Sequence, residues 1–102
     1  MREQLKWRYG AFFAEVSRLM FTHDPIGINF ESNTDEYEPE AGTVIPRLSS
    51  CKSAHDVQVV LHEEFCRWFG RATAGSLSSY EPLARDIWLF MQRMNWRHNS
   101  AP

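Results

Sequence analysis

Two cysteines and two histidines are the residues whose types and spacing come nearest to metal chemistry. Cys51, His55, His62 and Cys66 lie four, seven and four residues apart, so on one continuous helix they would share a side. A helix rises about 1.5 Å per residue, which separates His55 from His62 by roughly 10 Å, too far for both Cys/His pairs to bind one zinc ion. Each pair alone supplies only two ligands. We therefore expect no bound metal and no other cofactor.

An upstream segment has the spacing of a calcium-binding loop but not its composition. Positions 1, 3, 5, 7, 9 and 12 of a twelve-residue loop would be Asn29, Glu31, Asn33, Asp35, Tyr37 and Glu40. Position 6, where the loop needs glycine for a sharp turn, is Thr34, and position 1 is asparagine rather than aspartate. These departures argue against a calcium site.

Catalytic interpretations rest on pairs of residue types without a supporting motif. A Cys/His pair has the groups of an activated thiolate, and His23 with Asp24 has those of an acid/base pair. The sequence lacks a nucleophile elbow, a glycine-rich phosphate loop and an HExxH motif. We therefore expect a protein that is not an enzyme.

The distribution of charge is the strongest signal in the sequence. Residues 19–46 contain six of the thirteen acidic residues and no lysine or arginine, so they carry −6 while the rest carries +4. Such a field accelerates encounter with a basic surface, whereas it repels nucleic acid. We predict that a basic protein partner is bound by Glu31, Asp35, Glu36, Glu38 and Glu40. An alternative is that Asp35 and Glu38 cap a helix, because acids stabilise helix N-termini.

Apolar residues spaced three and four apart predict an all-α fold with four helices in one domain over residues 1–102. The first helix covers residues 4–20, with Gly10 inside it, and a long acidic loop separates it from the second. The second begins between Asp35 and Pro39, and Gly42 and Pro46 make it short or kinked.

The last two helices carry clearer boundary signals. Ser53 with Asp56 caps the third helix, which runs to about Trp68 and ends at Gly70. Residues 71–79 are predicted to form a loop, and Ser78 or Ser79 opens the fourth helix. We expect the core to include Phe12, Phe65, Trp68 and Met94. An apolar outer face on the fourth helix, suited to a homodimer or another partner, would comprise Trp88, Leu89 and Trp96.

Composition suggests where the protein works. The two cysteines are far fewer than in a secreted disulfide scaffold, and no run approaches the roughly 20 apolar residues of a membrane span. No apolar run follows the basic residues of the N-terminal segment. We therefore expect a cytoplasmic protein that does not bind membranes.

Two short motifs resemble those of a known group of proteins. His23-Asp24-Pro25-Ile26-Gly27-Ile28, followed by Asp35-Glu36-Tyr37-Glu38-Pro39-Glu40, resembles the signature of small, uncharacterised bacterial helical proteins. Similar sequences occur among immunity proteins of polymorphic toxin and contact-dependent inhibition systems. The resemblance implies a compact α-helical fold. Gly42 and Pro46 depart from the uninterrupted helix expected after Asp-Glu-Tyr.

The same motif has a direct physical interpretation. Asp24 can accept hydrogen bonds from backbone N–H groups across the turn at Pro25 and Gly27, and Tyr37 can anchor the loop to the core with its hydroxyl at the surface. Together with the acidic charge, the resemblance implies an immunity protein that neutralises a basic toxin, such as a nuclease, through residues 31–40. Alternatives are a metal-dependent enzyme or metal sensor, and a homo-oligomeric structural protein.

Overall fold

The computed structural model of the protein describes residues 10–25 and 37–94, and in these ranges all regular secondary structure is helical. The α-helices are α1 (Ala11–His23), α2 (Glu38–Leu48), α3 (Ala54–Phe69), α4 (Arg71–Ala74) and α5 (Glu81–Met94). A 3₁₀ turn, Leu77–Tyr80, leads directly into α5. The all-α class is confirmed. The expected count of four helices is not confirmed, and most of the predicted acidic loop, residues 26–36, lies outside the described residues.

Helix α3 is the centre of the fold. It packs against α2, α4, the 3₁₀ turn and α5, while α1 contacts α2 and α5. The four longer helices therefore surround one apolar core, to which each contributes one face. No helix in the described ranges is both long enough and apolar enough to span a bilayer.

Helix α1 begins later than the sequence pattern predicts. Gly10 has φ 48° and ψ −117°, which is not helical, so the predicted helix does not continue through this residue. Apolar periodicity does not report backbone angles, and glycine reaches positive φ because it lacks a Cβ atom. The predicted apolar face is buried from residue 12 onward, at Phe12, Phe13, Val16, Leu19 and Met20. The other expected members, Leu5 and Tyr9, lie outside the described residues.

Helix α2 begins within the predicted interval but without the predicted cap. Its N-cap residue is Tyr37, whose side chain makes no capping hydrogen bond, and Asp35 lies outside the described residues. Pro39 occupies the first turn, where its missing N–H costs nothing, and Pro46 is near the C-terminal end. The helix places Ala41, Val44, Ile45 and Leu48 in the core.

Helix α3 agrees most closely with the sequence. The Ser53 hydroxyl accepts a hydrogen bond from the Asp56 backbone N–H at 3.1 Å, and Gly70 terminates the helix, as predicted. The prediction that Trp68 is a core residue is wrong, since 44% of it is exposed. Trp68 lies in the last turn, at the rim of the core, where its indole N–H donates to Thr43 Oγ1 of α2 at 3.0 Å.

The segment predicted as a loop after Gly70 contains α4 and most of the 3₁₀ turn. Tyr80 at the end of that turn is fully buried, and its hydroxyl donates to the carbonyl oxygen of Ala74. Helix α5 then buries Leu83, Ala84, Ile87 and Met91. The prediction that Met94 is a core residue is wrong, since 38% of it is exposed.

Candidate functional site

The predicted loop-structuring residues include one pair that the structure brings together. The Tyr37 hydroxyl donates to Asp24 Oδ1 at 2.7 Å, and Tyr37 is completely buried, whereas the sequence interpretation placed its hydroxyl at the surface. The Tyr37 ring also packs against Phe65 of α3, with ring centroids 5.9 Å apart. Asp24 and Tyr37 therefore join the C-terminal end of α1 to the start of α2 and to the core.

The backbone at Asp24 completes this junction. Asp24 has φ 50° and ψ 59°, the left-handed conformation that aspartate tolerates better than most residues, and its N–H donates to the carbonyl oxygen of Met20 at 2.8 Å. The following residue, Pro25, prevents the helix from continuing. Gly27, the remaining loop-structuring residue, lies outside the described residues.

The predicted partner-binding acids occupy different environments. Glu38 is half-buried in the first turn of α2, while Glu40 is only 4% exposed. The interpretation of Glu40 as an outward-facing acid is therefore wrong, because the helix turns it toward the interior. Glu31, Asp35 and Glu36 lie outside the described residues.

The structure does not gather the four Cys/His residues at one site. Cys51 precedes α3 and is buried, with its thiol directed at the Arg47 carbonyl oxygen at 3.7 Å, while His55 is exposed. His62 Nε2 lies 3.5 Å from Cys66 Sγ and 2.9 Å from the Gly75 carbonyl oxygen. Within the described ranges, no group of three or more His, Cys, Asp or Glu residues is placed to hold a metal ion.

His23 and Asp24 form separate contacts rather than an acid/base pair. His23 Nε2 is 2.8 Å from Asp86 Oδ2, which links α1 to α5, and Asp24 accepts from Tyr37 instead. The two side chains therefore serve to connect helices in this arrangement.

A charged network between α2 and α3 was not predicted from the sequence. Arg47 donates to Glu63 Oε1 and to Glu64 Oε2, each at 2.8 Å, and Arg67 approaches the same Glu64 oxygen at 3.3 Å. The Glu64 side chain is only 5% exposed. The hydrogen bonds that Arg47 donates to Glu63 and, to a smaller extent, to Glu64 raise the pKa of Arg47 above its usual value, although burial opposes the shift. The sequence signal that could have predicted this network is Glu64, an acid three residues after Leu61 on the apolar stripe of α3.

The network borders an open cleft of about 450 Å³. Its lining consists of Arg47, His62, Glu63, Cys66, Arg67 and Arg71. Three arginines against one glutamate give this lining a formal charge of +2 with His62 neutral, in a chain whose net charge is −2. An adjoining cleft of about 470 Å³ shares Arg47 and Arg67, and its lining also includes Thr43, Glu64 and Trp68. With three arginines and two glutamates, the two linings together carry a formal charge of +1. The arrangement can attract an anion.

Comparison with protein-family models gives no match, and neither the curated proteins nor the solved structures include a significant match to the chain. The resemblance to bacterial immunity proteins thus remains a prediction that depends on the residues of the two motifs.

Proposed function

We propose that this protein is a non-enzymatic binding protein that neutralises a basic toxin domain, such as a nuclease. The contact would be made by its acidic region, residues 31–40. The proposed contact residues are Glu31, Asp35, Glu36 and Glu38. Glu40 is excluded from this set because it is buried. The observation that carries the proposal is the hydrogen bond between Asp24 and Tyr37, which anchors both ends of the acidic segment.

Anchoring matters because ordering a chain segment on binding costs conformational entropy. Asp24 and Tyr37 are tied to each other and Tyr37 is fixed in the core, so the residues between them enter a complex with both ends already positioned. A toxin that cleaves nucleic acid must bind phosphates, so its active-site cleft is basic. An acidic segment with fixed ends is suited to occupying such a cleft.

Concentrated charge also acts on the rate of association. The charge of −6 on residues 19–46 steers a basic partner toward these residues, an effect that salt screens. We therefore expect association to be fast at low ionic strength and to slow as salt is added. Glu63 and Glu64 lie elsewhere and are compensated by arginines.

The test is to neutralise three of the proposed contact residues together, in Asp35→Asn, Glu36→Gln, Glu38→Gln. Association with the purified product of the adjacent reading frame, followed by stopped-flow fluorescence at two ionic strengths, should slow by about tenfold at low salt. Its dependence on salt should weaken, while the melting temperature should change little.

The matched control is a triple variant that also removes three negative charges, at ion-paired positions outside the acidic region. Its substitutions are Glu15→Gln, Glu63→Gln and Glu81→Gln. This control should retain fast, salt-sensitive association. A lowered melting temperature with unaltered salt dependence in the first variant would show that its acids cap α2 and do not contact the partner.

A further inference from the structure

The arginines of the α2–α3 cleft differ in how fully their guanidinium groups are engaged. Arg47 uses one terminal nitrogen for Glu63 and the other for Glu64. Arg67 makes a single long contact with Glu64, and its side chain is 75% exposed. The Arg71 side chain makes no hydrogen bond or ion pair within the described part of the chain. A guanidinium carries five N–H donors, so Arg67 and Arg71 are the groups of the lining with the most donors left for a ligand.

The charge of the cleft and its donors favour a phosphate group. A guanidinium presents parallel N–H donors that match two oxygens of a phosphate, and it is less strongly hydrated than an ammonium group. Glu63, the acid in the lining, is held by Arg47 at 2.8 Å, so its charge is compensated locally. Arg47 also binds Glu64 at 2.8 Å, and Arg67 contacts the same carboxylate at 3.3 Å. Arg71 is therefore the cation of the lining without an acidic partner, and Arg67 is the more weakly paired of the other two.

The dimensions indicate a ligand larger than phosphate alone. A volume of about 450 Å³ falls within the range of small-molecule sites, and a second cleft of about 470 Å³ adjoins it along Arg47 and Arg67. Trp68 borders that second cleft and is 44% exposed, with its indole N–H held by Thr43 at 3.0 Å. A fixed, exposed indole is suited to packing against a planar ring.

We propose that the cleft binds a phosphorylated small molecule with an aromatic ring, of the size of a nucleoside monophosphate. The phosphate is held by Arg67 and Arg71, and the ring extends into the adjoining cleft toward Trp68. None of the residues that line the two clefts is among the proposed contact residues Glu31, Asp35, Glu36 and Glu38, so the proposal adds a ligand to a protein whose other proposed contact is with a basic partner.

Isothermal titration calorimetry at low ionic strength tests the site with three probes. Adenosine 5′-monophosphate should bind saturably, inorganic phosphate more weakly, and adenosine without a phosphate not measurably. Equal affinities for the nucleotide and inorganic phosphate would show that the phosphate group is recognised but would overturn the placement of the ring at Trp68. Absence of saturable binding by both phosphate probes would overturn the whole proposal.

Variants locate the binding. Arg71→Gln should lower the affinity for adenosine 5′-monophosphate by about tenfold or more, because a charge-assisted hydrogen bond is lost. Arg71 is exposed and has no partner in the described residues, so its replacement should leave the melting temperature unchanged. Arg85→Gln removes an exposed arginine of α5 and serves as the control, whose affinity should stay within about twofold of wild type. An equal loss in both variants would place the phosphate elsewhere.

The cysteines give a second measurement without any substitution. Cys66 lines the cleft, whereas Cys51 is 2% exposed and outside it. Iodoacetamide should alkylate Cys66 more slowly in saturating adenosine 5′-monophosphate than in adenosine at the same ionic strength. Mass spectrometry measures the rate of alkylation in both samples. Cys51 should stay unmodified in both samples. An unchanged rate at Cys66 under saturating nucleotide would contradict binding in this cleft.

Discussion

At the scale of single residues, the hydrogen bond between Asp24 and Tyr37 joins the two sequence motifs and connects α1 to α2. Asp24 ends α1 in a left-handed conformation and accepts the hydrogen bond of a buried tyrosine hydroxyl. A buried hydroxyl without an acceptor would be costly, so the two residues are needed together. The junction thus connects the end of α1 to the start of α2, at the two residues that flank the acidic segment.

Removing one side of this hydrogen bond should therefore cost stability. Tyr37→Phe should lower the free energy of unfolding by about 1–3 kcal/mol, because the Asp24 carboxylate loses a donor in a partly enclosed position. Asp24→Asn should cost less, since asparagine also accepts the left-handed conformation and keeps a carbonyl acceptor. Urea unfolding monitored by circular dichroism measures both. A larger loss in Asp24→Asn would show that the negative charge, and not the hydrogen bond, maintains the junction.

Tyr80 predicts how stability depends on pH in the alkaline range. Burial, with a smaller contribution from the charge of Cys66, raises the pKa of Tyr80 to about 12 from its ordinary value of 10.0. The folded state thus favours the neutral phenol. The stability that this neutral phenol contributes is fully present below pH 10.0 and is lost as the pH rises to about 12, because Tyr80 releases its proton at lower pH in the unfolded chain.

The measurement compares wild type with Tyr80→Phe, which cannot ionise at this position. Between pH 10.0 and about 12, the free energy of unfolding should fall more steeply in wild type, whatever the absolute stability of the variant. Ultraviolet difference absorbance should also lose a tyrosinate transition at about pH 12 in Tyr80→Phe. Identical slopes in the two proteins would mean that Tyr80 ionises as readily in the folded state as in the unfolded state.

At the scale of elements, helix boundaries set by local chemistry were predictable. Ser53, Asp56 and Gly70 define the two ends of α3 through contacts within a few residues of the chain, and the structure confirms them. Trp68 shows the limit of this reasoning. It continues the apolar spacing of α3, but burial depends on which neighbouring helix covers the last turn, and spacing does not contain that information.

The short helix α4 and the 3₁₀ turn were missed for a related reason. Their sequence is rich in serine, glycine and alanine and has no apolar period of its own. The turn is stabilised from a distance by Gln58 of α3, whose side-chain amide donates to the Leu77 carbonyl oxygen at 2.8 Å, and by the burial of Tyr80. Such contacts between distant segments do not follow from local propensity.

The candidate sites also divide into features set by neighbouring residues, which were predictable, and features set by contacts between distant segments, which were not. Asp24 and Tyr37 were recognised because aspartate before proline and an isolated tyrosine have defined turn and anchor roles, although their mutual hydrogen bond was not foreseen. The arginine cleft combines residues from α2, α3 and α4. The sequence shows those arginines as scattered, and only the packing of the helices makes them neighbours.

At the scale of the whole molecule, the described residues expose three large apolar side chains. These are Trp68 (44%), Leu89 (53%) and Met94 (38%). Successive helical residues are rotated by about 100°, so Leu89 and Met94 lie roughly 140° apart around α5. Trp68 belongs to another helix and is tied to Thr43. Of the predicted outer face of α5, the described residues expose Leu89, while Trp88 is half-buried against the core and Trp96 lies outside the described ranges. A stable dimer interface needs a contiguous surface of roughly 800 Å² per partner.

Sedimentation equilibrium tests the homo-oligomeric alternative. One exposed leucine is a small apolar contact, so we expect the mass of a monomer, 12.0 kDa, over a wide range of protein concentration. Leu89→Glu, at the most exposed of the three positions, should leave the mass unchanged, as should the control Gln92→Glu on the same helix. A mass that rises toward twice that value with concentration, and returns to the monomer in Leu89→Glu but not in Gln92→Glu, would place α5 in an interface. The homo-oligomeric alternative would then be preferred, because charge added at Leu89 opposes burial only where a second copy covers it.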